Sequence, residues 1–401
     1  MQLEPLVSKL AFSFCLIISV ISFTSLIFPR ILVEITNENL DNSINYFEFG
    51  GWAFPIIIVN ILFFILYFFY KKKKLPLFIR EKIQFLNRND ISKNVAFVLL
   101  LVLFSTYIIF TLDEFGREEF ELGDYSSSAE AAKNFEFNEK VFGNHFRYLI
   151  LHISYLLFDN LRILPFIASM SLLLLTYFIT LEITKKRIAG IVAFLVLMQS
   201  NLFLIFDTTS TYENFWTAFY FLSLYLIFKK PVISPILSSI SFVSSIISKA
   251  LSLTFMPINF IAIVASDVSK RNKIMLVICY SALVTLIVIA FLTNNLAHTQ
   301  KIEFNEINFI SSLNEFGNSL RFDGIILLLF FPTLIILRTK TGLIRNKVNF
   351  IFAAIPIAIL SQPLMYFVIG MTLQPYRFIP LIVFVAISIG MIFSKSKELD
   401  Q

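Results

Sequence analysis

The chain has 401 residues, 57% hydrophobic and only 15% charged, with a formal net charge of +6. Soluble domains carry about 45–50% apolar and about 25% charged residues. Here apolar runs of about twenty residues, each long enough to cross a hydrocarbon core as a helix, recur from end to end. One large soluble core is excluded, and the composition predicts an all-α, polytopic transmembrane helical bundle, since lipid admits few other backbone arrangements.

In chain order, hydropathy predicts about 12 spans, over residues 10–28, 51–70, 95–112, 162–182, 188–206, 214–228, 233–249, 251–266, 274–292, 323–338, 348–368 and 378–394. The first run, Leu10 to Phe28, is longer than a signal-peptide core and lacks a small-x-small cleavage site, so it is expected to remain as a span. Cys15 and Cys279 fall inside spans, which argues against a disulfide or a cysteine metal site. Cytoplasmic loops collect Lys and Arg. With the N-terminus inside, the basic clusters at Lys71–Lys93, Lys185-Lys186-Arg187, Lys229-Lys230, Lys270–Lys273 and Arg338–Lys347 all fall on one side. The expected localisation is the cell membrane, multi-pass, with both termini cytoplasmic and most acids outside. Trp52 and Trp216 land at outer span ends, where an aromatic belt places such residues. Residues 1–93 read as an N-terminal two-span unit with a basic cytoplasmic connector, and residues 94–401 as the main membrane domain.

The outer loop 113–147 stands apart. From Asp113 to Asn144 it carries nine acids and three bases. A carboxylate just outside the membrane suits a general base that takes a proton from an acceptor hydroxyl, and Asp124, Asp113 and Glu114 are the candidates. Beyond it, Phe146, Leu149, Ile150, Ile153, Leu156 and Leu157 recur on one helical face, with His145, Tyr148, His152 and Tyr155 on the other. This segment is too short to span, and it is expected to lie as an amphipathic helix on the outer membrane surface.

The run Asp124-Tyr125-Ser126-Ser127-Ser128-Ala129-Glu130-Ala131-Ala132-Lys133-Asn134 resembles the first-loop motif of the GT-C superfamily of integral membrane glycosyltransferases. That superfamily includes the protein O-mannosyltransferases and the bacterial lipid A aminoarabinose transferase. The segments Lys185–Ala193, Asp207–Glu213, Ser248–Pro257 and Pro375–Pro380 are similar to later family segments in the same order, so the resemblance covers about residues 95–394. Two features depart from the pattern. The family's first acid sits immediately after its first span, where this chain has Asp113-Glu114, and many members carry His-Pro-Pro where this chain has Asn144-His145-Phe146-Arg147. Asp124 has the better downstream spacing and is preferred as the base.

The resemblance implies a GT-C-like fold and transfer of a sugar from a polyprenyl-phosphate donor to an acceptor hydroxyl on the outer face. Partners are then the lipid-linked donor, a protein, lipid or glycan acceptor, and the bilayer; no nucleic-acid partner is expected. Arg377, Lys249 and Arg147 are the candidates to pair with the donor phosphate, Arg bidentately, and Arg162 is a further cation at a span end. Tyr125, His145 and Tyr376 are candidates to contact substrate. No cofactor is expected, with a divalent metal left open. His145 and His152 stand seven residues apart, about 10 Å along a helix at 1.5 Å per residue, too far to grip one ion. A transporter or flippase of lipid-linked sugars is the alternative, but it calls for ionisable groups deep in the spans and paired broken helices. An outer-face oligosaccharide polymerase or ligase is a third reading, with Asn294–Phe322 as its loop.

Overall fold

The computed structural model describes residues 3–32, 47–72, 74–78, 81, 85, 89–117, 124–135, 146–210, 213–229, 233–293, 306–369 and 374–394. These residues form helices and connecting turns, with no strand among them. In order the helices are α1 (Leu3–Ile27), α2 (Ala53–Lys71), α3 (Lys93–Thr111), α4 (Asp124–Lys133), α5 (Phe146–Phe158), α6 (Ile163–Thr184), α7 (Arg187–Met198) and α8 (Asn201–Phe206). They continue with α9 (Glu213–Phe228), α10 (Ser234–Ser248), α11 (Met256–Ala265), α12 (Lys270–Thr293), α13 (Glu306–Asn318), α14 (Gly324–Arg338), α15 (Arg345–Ile369) and α16 (Ile379–Met391).

Five of these helices are long and apolar enough to cross a membrane: α1, α2, α3, α6 and α15. The count rises to six if α13 and α14, which meet at a 114° bend, form one span. Several other apolar segments are shorter or interrupted, while α12 runs unbroken for 24 residues. The run 188–206 breaks at Gln199-Ser200, where the Ser200 hydroxyl accepts from Phe203 N at 3.2 Å and caps a new short helix. The run 251–266 begins as a 3-10 stretch, Ala250–Phe255, before turning α-helical.

The last helix is the core. Every residue of α16 from Ile379 to Met391 is buried, and α6, α7, α9, α14 and α15 surround it. Close approach depends on Gly390, where a Cβ would stand 2.5 Å from the Ala189 carbonyl oxygen and 2.8 Å from Thr180 Cγ2. Small residues let membrane helices approach and add interhelical hydrogen bonds. The α1–α13 contact uses the same device: Ser22 Oγ donates to Leu313 O and Ser25 Oγ to Asn314 O, both at 2.9 Å, beside Gly317. Thus α1 and α2, predicted as an N-terminal unit, rest on helices of the other unit, α1 on α13 and α15 and α2 on α14.

Charge divides the bundle into two ends. At one, Asp90 Oδ1 accepts from Arg187 N (2.9 Å) and Ile188 N (3.1 Å), capping α7 from a distant segment. Lys186 Nζ donates to Asn89 O, Lys229 pairs with Glu182 at 2.6 Å and Lys347 with Asp267 at 2.5 Å. Lys340 Nζ reaches Ile392 O and Ser394 O at 2.7 and 2.8 Å, closing the last turn of the α16 segment. The basic loops read from the sequence as lying on one side therefore meet at one end of the bundle. Helix α6, 22 residues long, runs about 33 Å at 1.5 Å per residue to the opposite end.

Helix α5 lies at that opposite end. Ser154 Oγ accepts from Leu164 N at 3.1 Å and donates to Asn160 O at 2.7 Å, locking α5 to the start of α6. Its Ile153, Leu156 and Leu157 are exposed, while His152 Nδ1 is 2.8 Å from Ala132 O and Lys133 stacks over the Tyr155 ring. Ile153, Leu156 and Leu157 thus point away from the protein, Leu151 and Ser154 pack into it, and His152 and Tyr155 meet α4.

Candidate functional site

Two polar clusters form where α3, α6, α8 and α9 end, opposite the Lys186 end. The first is built on the 3-10 turn Leu112–Gly116 that follows α3. It turns Glu114 inward and leaves Asp113 exposed. Glu114 Oε2 accepts from the Thr208 hydroxyl at 2.7 Å, and Thr208 Oγ in turn accepts from Arg162 Nη1 at 3.2 Å. Asn160 Nδ2 holds the turn through Phe115 O at 2.9 Å.

Beside Glu114 is Asp207, just beyond the end of α8 and 1% exposed. The Tyr107 hydroxyl, one helical turn before the end of α3, donates to Asp207 Oδ2 at 2.5 Å. Ser169 Oγ and Asn214 Nδ2 donate to the Asp207 carbonyl, which pins the turn. Burial raises the Asp207 carboxyl to about 8; the Tyr107 bond works against this, and the neighbouring Glu114 carboxyl adds to it.

The second cluster centres on Glu213, the first residue of α9, which is fully buried. Lys249 Nζ and Arg377 Nε both lie 3.8 Å from Glu213 Oε1. Glu213 Oε2 accepts from Trp216 Nε1, and Arg377 Nη1 donates to Gln362 Oε1 of α15 at 3.3 Å. At 3.8 Å the two cations make ion pairs beyond hydrogen-bond length. Glu213 Oε1 accepts no hydrogen bond and Gln362 Nε2 donates none among the described residues. The two cations thus share this one carboxylate. A unit-charge pair at this separation attracts by about 4 kcal/mol at an effective dielectric of about 20, and desolvation of the buried charges offsets much of it.

The clusters adjoin through the Asp207–Glu213 connection and through Phe206, whose ring meets Tyr376 at 5.7 Å. Local sequence explains the placement. Lys249 ends α10 in extended backbone, and Gln374 is extended before the 3-10 turn Pro375–Phe378, so both cations sit on breaks between helices.

The sequence-predicted residues separate into groups. Lys249 and Arg377 come together; at 6% and 4% exposed they are not snorkelling to water. Glu114 joins the Asp207 cluster, and Tyr376 is buried between Phe206 and Arg377, its ring 5.6 Å from the guanidinium carbon. Arg147 stays on α5, its Nη2 donating to the Tyr148 hydroxyl at 2.7 Å. The backbone of Asp124 and Tyr125 opens α4, but their side chains lie outside the described residues, as does His145. Trp216, expected in an interfacial belt, is instead wholly buried, because its indole N–H has the Glu213 carboxylate for a partner. Among the described residues no group of three or more His, Cys, Asp or Glu gathers to hold a metal ion.

Reasoning from the sequence passed over Tyr107, Asp207, Glu213 and Gln362 as site residues. The available signal was polarity next to apolar runs: Gln362 interrupts one, and Asp207 and Glu213 bracket the turn between two. Neither family models, nor the sequences of characterised proteins, nor solved structures give a match to this chain.

Proposed function

We infer that this chain is a membrane-embedded glycosyltransferase that takes a sugar from a polyprenyl-phosphate carrier and passes it to an acceptor hydroxyl. The observation that carries the reading is the meeting of Lys249 and Arg377 on one buried carboxylate, next to the Glu114–Asp207 cluster. The two cations hold the carrier phosphate, and Glu114 is the base. The acceptor oxygen forms a bond to the anomeric carbon, and the bond from that carbon to the phosphate oxygen breaks with its electron pair leaving on the phosphate. The acceptor proton passes to Glu114. In this reading the bundle has about 12 membrane-crossing segments in a GT-C-like arrangement, with α5 lying on the outer leaflet. The Lys186 end faces the cytoplasm, as the charge bias of the loops requires.

One observation favours the transporter reading, the 114° bend between α13 and α14. Transporters of that kind carry such breaks in corresponding positions of two halves, and a second bent pair is absent among the described residues.

The decisive experiment supplies the purified protein with labelled polyprenyl-phosphate sugars and follows label transfer. Turnover that Glu114→Gln and Arg377→Ala both abolish supports the enzyme. Carrier movement across a vesicle without cleavage of the sugar–phosphate bond supports the transporter. Orientation is read separately by thiol labelling from outside, with Cys279 replaced: Lys133→Cys is labelled and Lys185→Cys is protected, and the reverse pattern inverts the topology.

A further inference from the structure

Asp207 has no evident reason to be acidic in the transfer step. It is 1% exposed, its Oδ1 accepts no hydrogen bond among the described residues, and the nearby Glu114 carboxyl is a second acid. A buried carboxylate oxygen with no donor is costly, and two adjacent carboxylates repel. A single proton on Asp207 Oδ1 removes both costs, because the oxygen becomes a donor facing the other carboxylate. Tyr107 then donates to Oδ2 at 2.5 Å, and Thr208 donates to Glu114 Oε2 at 2.7 Å.

We propose that Asp207 is a neutral carboxylic acid that donates its proton to a hydrogen bond with Glu114, so that the pair shares one proton and Asp207 positions Glu114. Among the described residues, the groups facing the pair are Tyr107 from α3, the Thr208 backbone N–H, which favours ionised Asp207, Arg117 at 4.0 Å from Glu114 Oε1, and Arg162 through Thr208. Among the described residues no cation is a cause acting on the Asp207 carboxyl. Glu114 is the member of the pair that reaches solvent, its side chain 21% exposed. Glu114 is thus the face that the pair presents to solvent, and Asp207 sets its orientation from behind. The protonation stands on the burial of Asp207 and its unpartnered Oδ1, with the neighbouring Glu114 carboxyl acting in the same direction. Its catalytic consequence rests on the reading of Glu114 as the base.

The test compares wild type with Asp207→Asn, a neutral isostere that keeps both a donor and an acceptor. An acid that stays protonated in the folded chain up to about 8, against about 3.9 when unfolded, lowers stability progressively as pH rises between those values and no further above them. The apparent Tm of wild type in detergent is expected to fall relative to that of Asp207→Asn between pH 5 and 8 and to level off above. The infrared C=O band of un-ionised carboxylic acid at neutral pH should lose a component in the variant. Parallel Tm profiles with an unchanged band overturn the proposal, whatever the activity. Where Asp207→Asn does not fold, Tyr107→Phe serves: loss of its bond moves the alkaline midpoint upward, and no movement overturns the proposal. In transfer assays Asp207→Ala loses activity that Asp207→Asn restores in part, and the Asp207→Asn pH profile lacks the alkaline limb near 8. A wild type that transfers no sugar overturns the enzyme reading and leaves the titration standing.

Discussion

Arg377 Nε lies 3.8 Å from Glu213 Oε1 in a site that exposes 4% of the arginine and none of the glutamate. Lys249 approaches the same oxygen at the same distance. One carboxylate thus holds two cations from remote parts of the chain.

Removing Glu213 leaves two buried cations without their shared counter-charge. Breaking a buried ion pair by deleting one partner costs about 3–5 kcal/mol, so Glu213→Ala is expected to lower the thermal midpoint in detergent sharply. A variant that melts with wild type would show that the cations are compensated elsewhere.

Arg377→Lys keeps the charge and discards the planar fork. If Arg377 grips a phosphate, the loss in transfer is about tenfold or more even so, while Arg377→Ala costs about 10²–10³-fold. Equal activity of Arg377→Lys and wild type would reduce Arg377 to a charge. Measurement of kcat and KM over a range of carrier concentrations separates binding from chemistry.

Gly390→Val tests the core. Its Cβ would stand 2.5 Å from the Ala189 carbonyl, a backbone atom that cannot turn aside. Overpacking of this kind costs about 1–3 kcal/mol or more, so the variant should express poorly and melt earlier. By contrast Ser25→Ala, which loses one α1–α13 hydrogen bond, should cost about 0.6 kcal/mol.

Lys340 gives a pH test at the other end. Burial, with the Lys186 charge adding to it, lowers its ammonium to about 8, below the ordinary value of about 10.4. Between these values the unfolded chain holds more protons, so stability rises with pH across that window. The wild-type Tm should gain on that of Lys340→Met from pH 8 to 10, and a constant difference would refute the shift.

Much of the fold was legible in the residues. Apolar runs marked the helices because each lipid-facing turn must be apolar, and basic loops marked one end of the bundle because Lys and Arg cluster in short connections. What remained hidden was long-range. Lys249 and Arg377 were visible as cations at span ends, but their common partner Glu213 is distant from Arg377 in sequence, and nothing local announces that meeting. The same holds for Tyr107 with Asp207, which are 100 residues apart.

The sequence by itself therefore determined the all-helical class, most of the helix positions, the end at which Lys and Arg gather, and a short list of chemically able side chains, all of which depend on composition and period over tens of residues. Only the tertiary structure decided that Glu114, not Asp113, turns inward to Thr208, that Trp216 serves a buried carboxylate, and that α16 is the centre of the bundle. Those outcomes depend on which helix ends coincide in space. That is set by the packing of whole faces, such as Gly390 against Ala189, which no short stretch of sequence records.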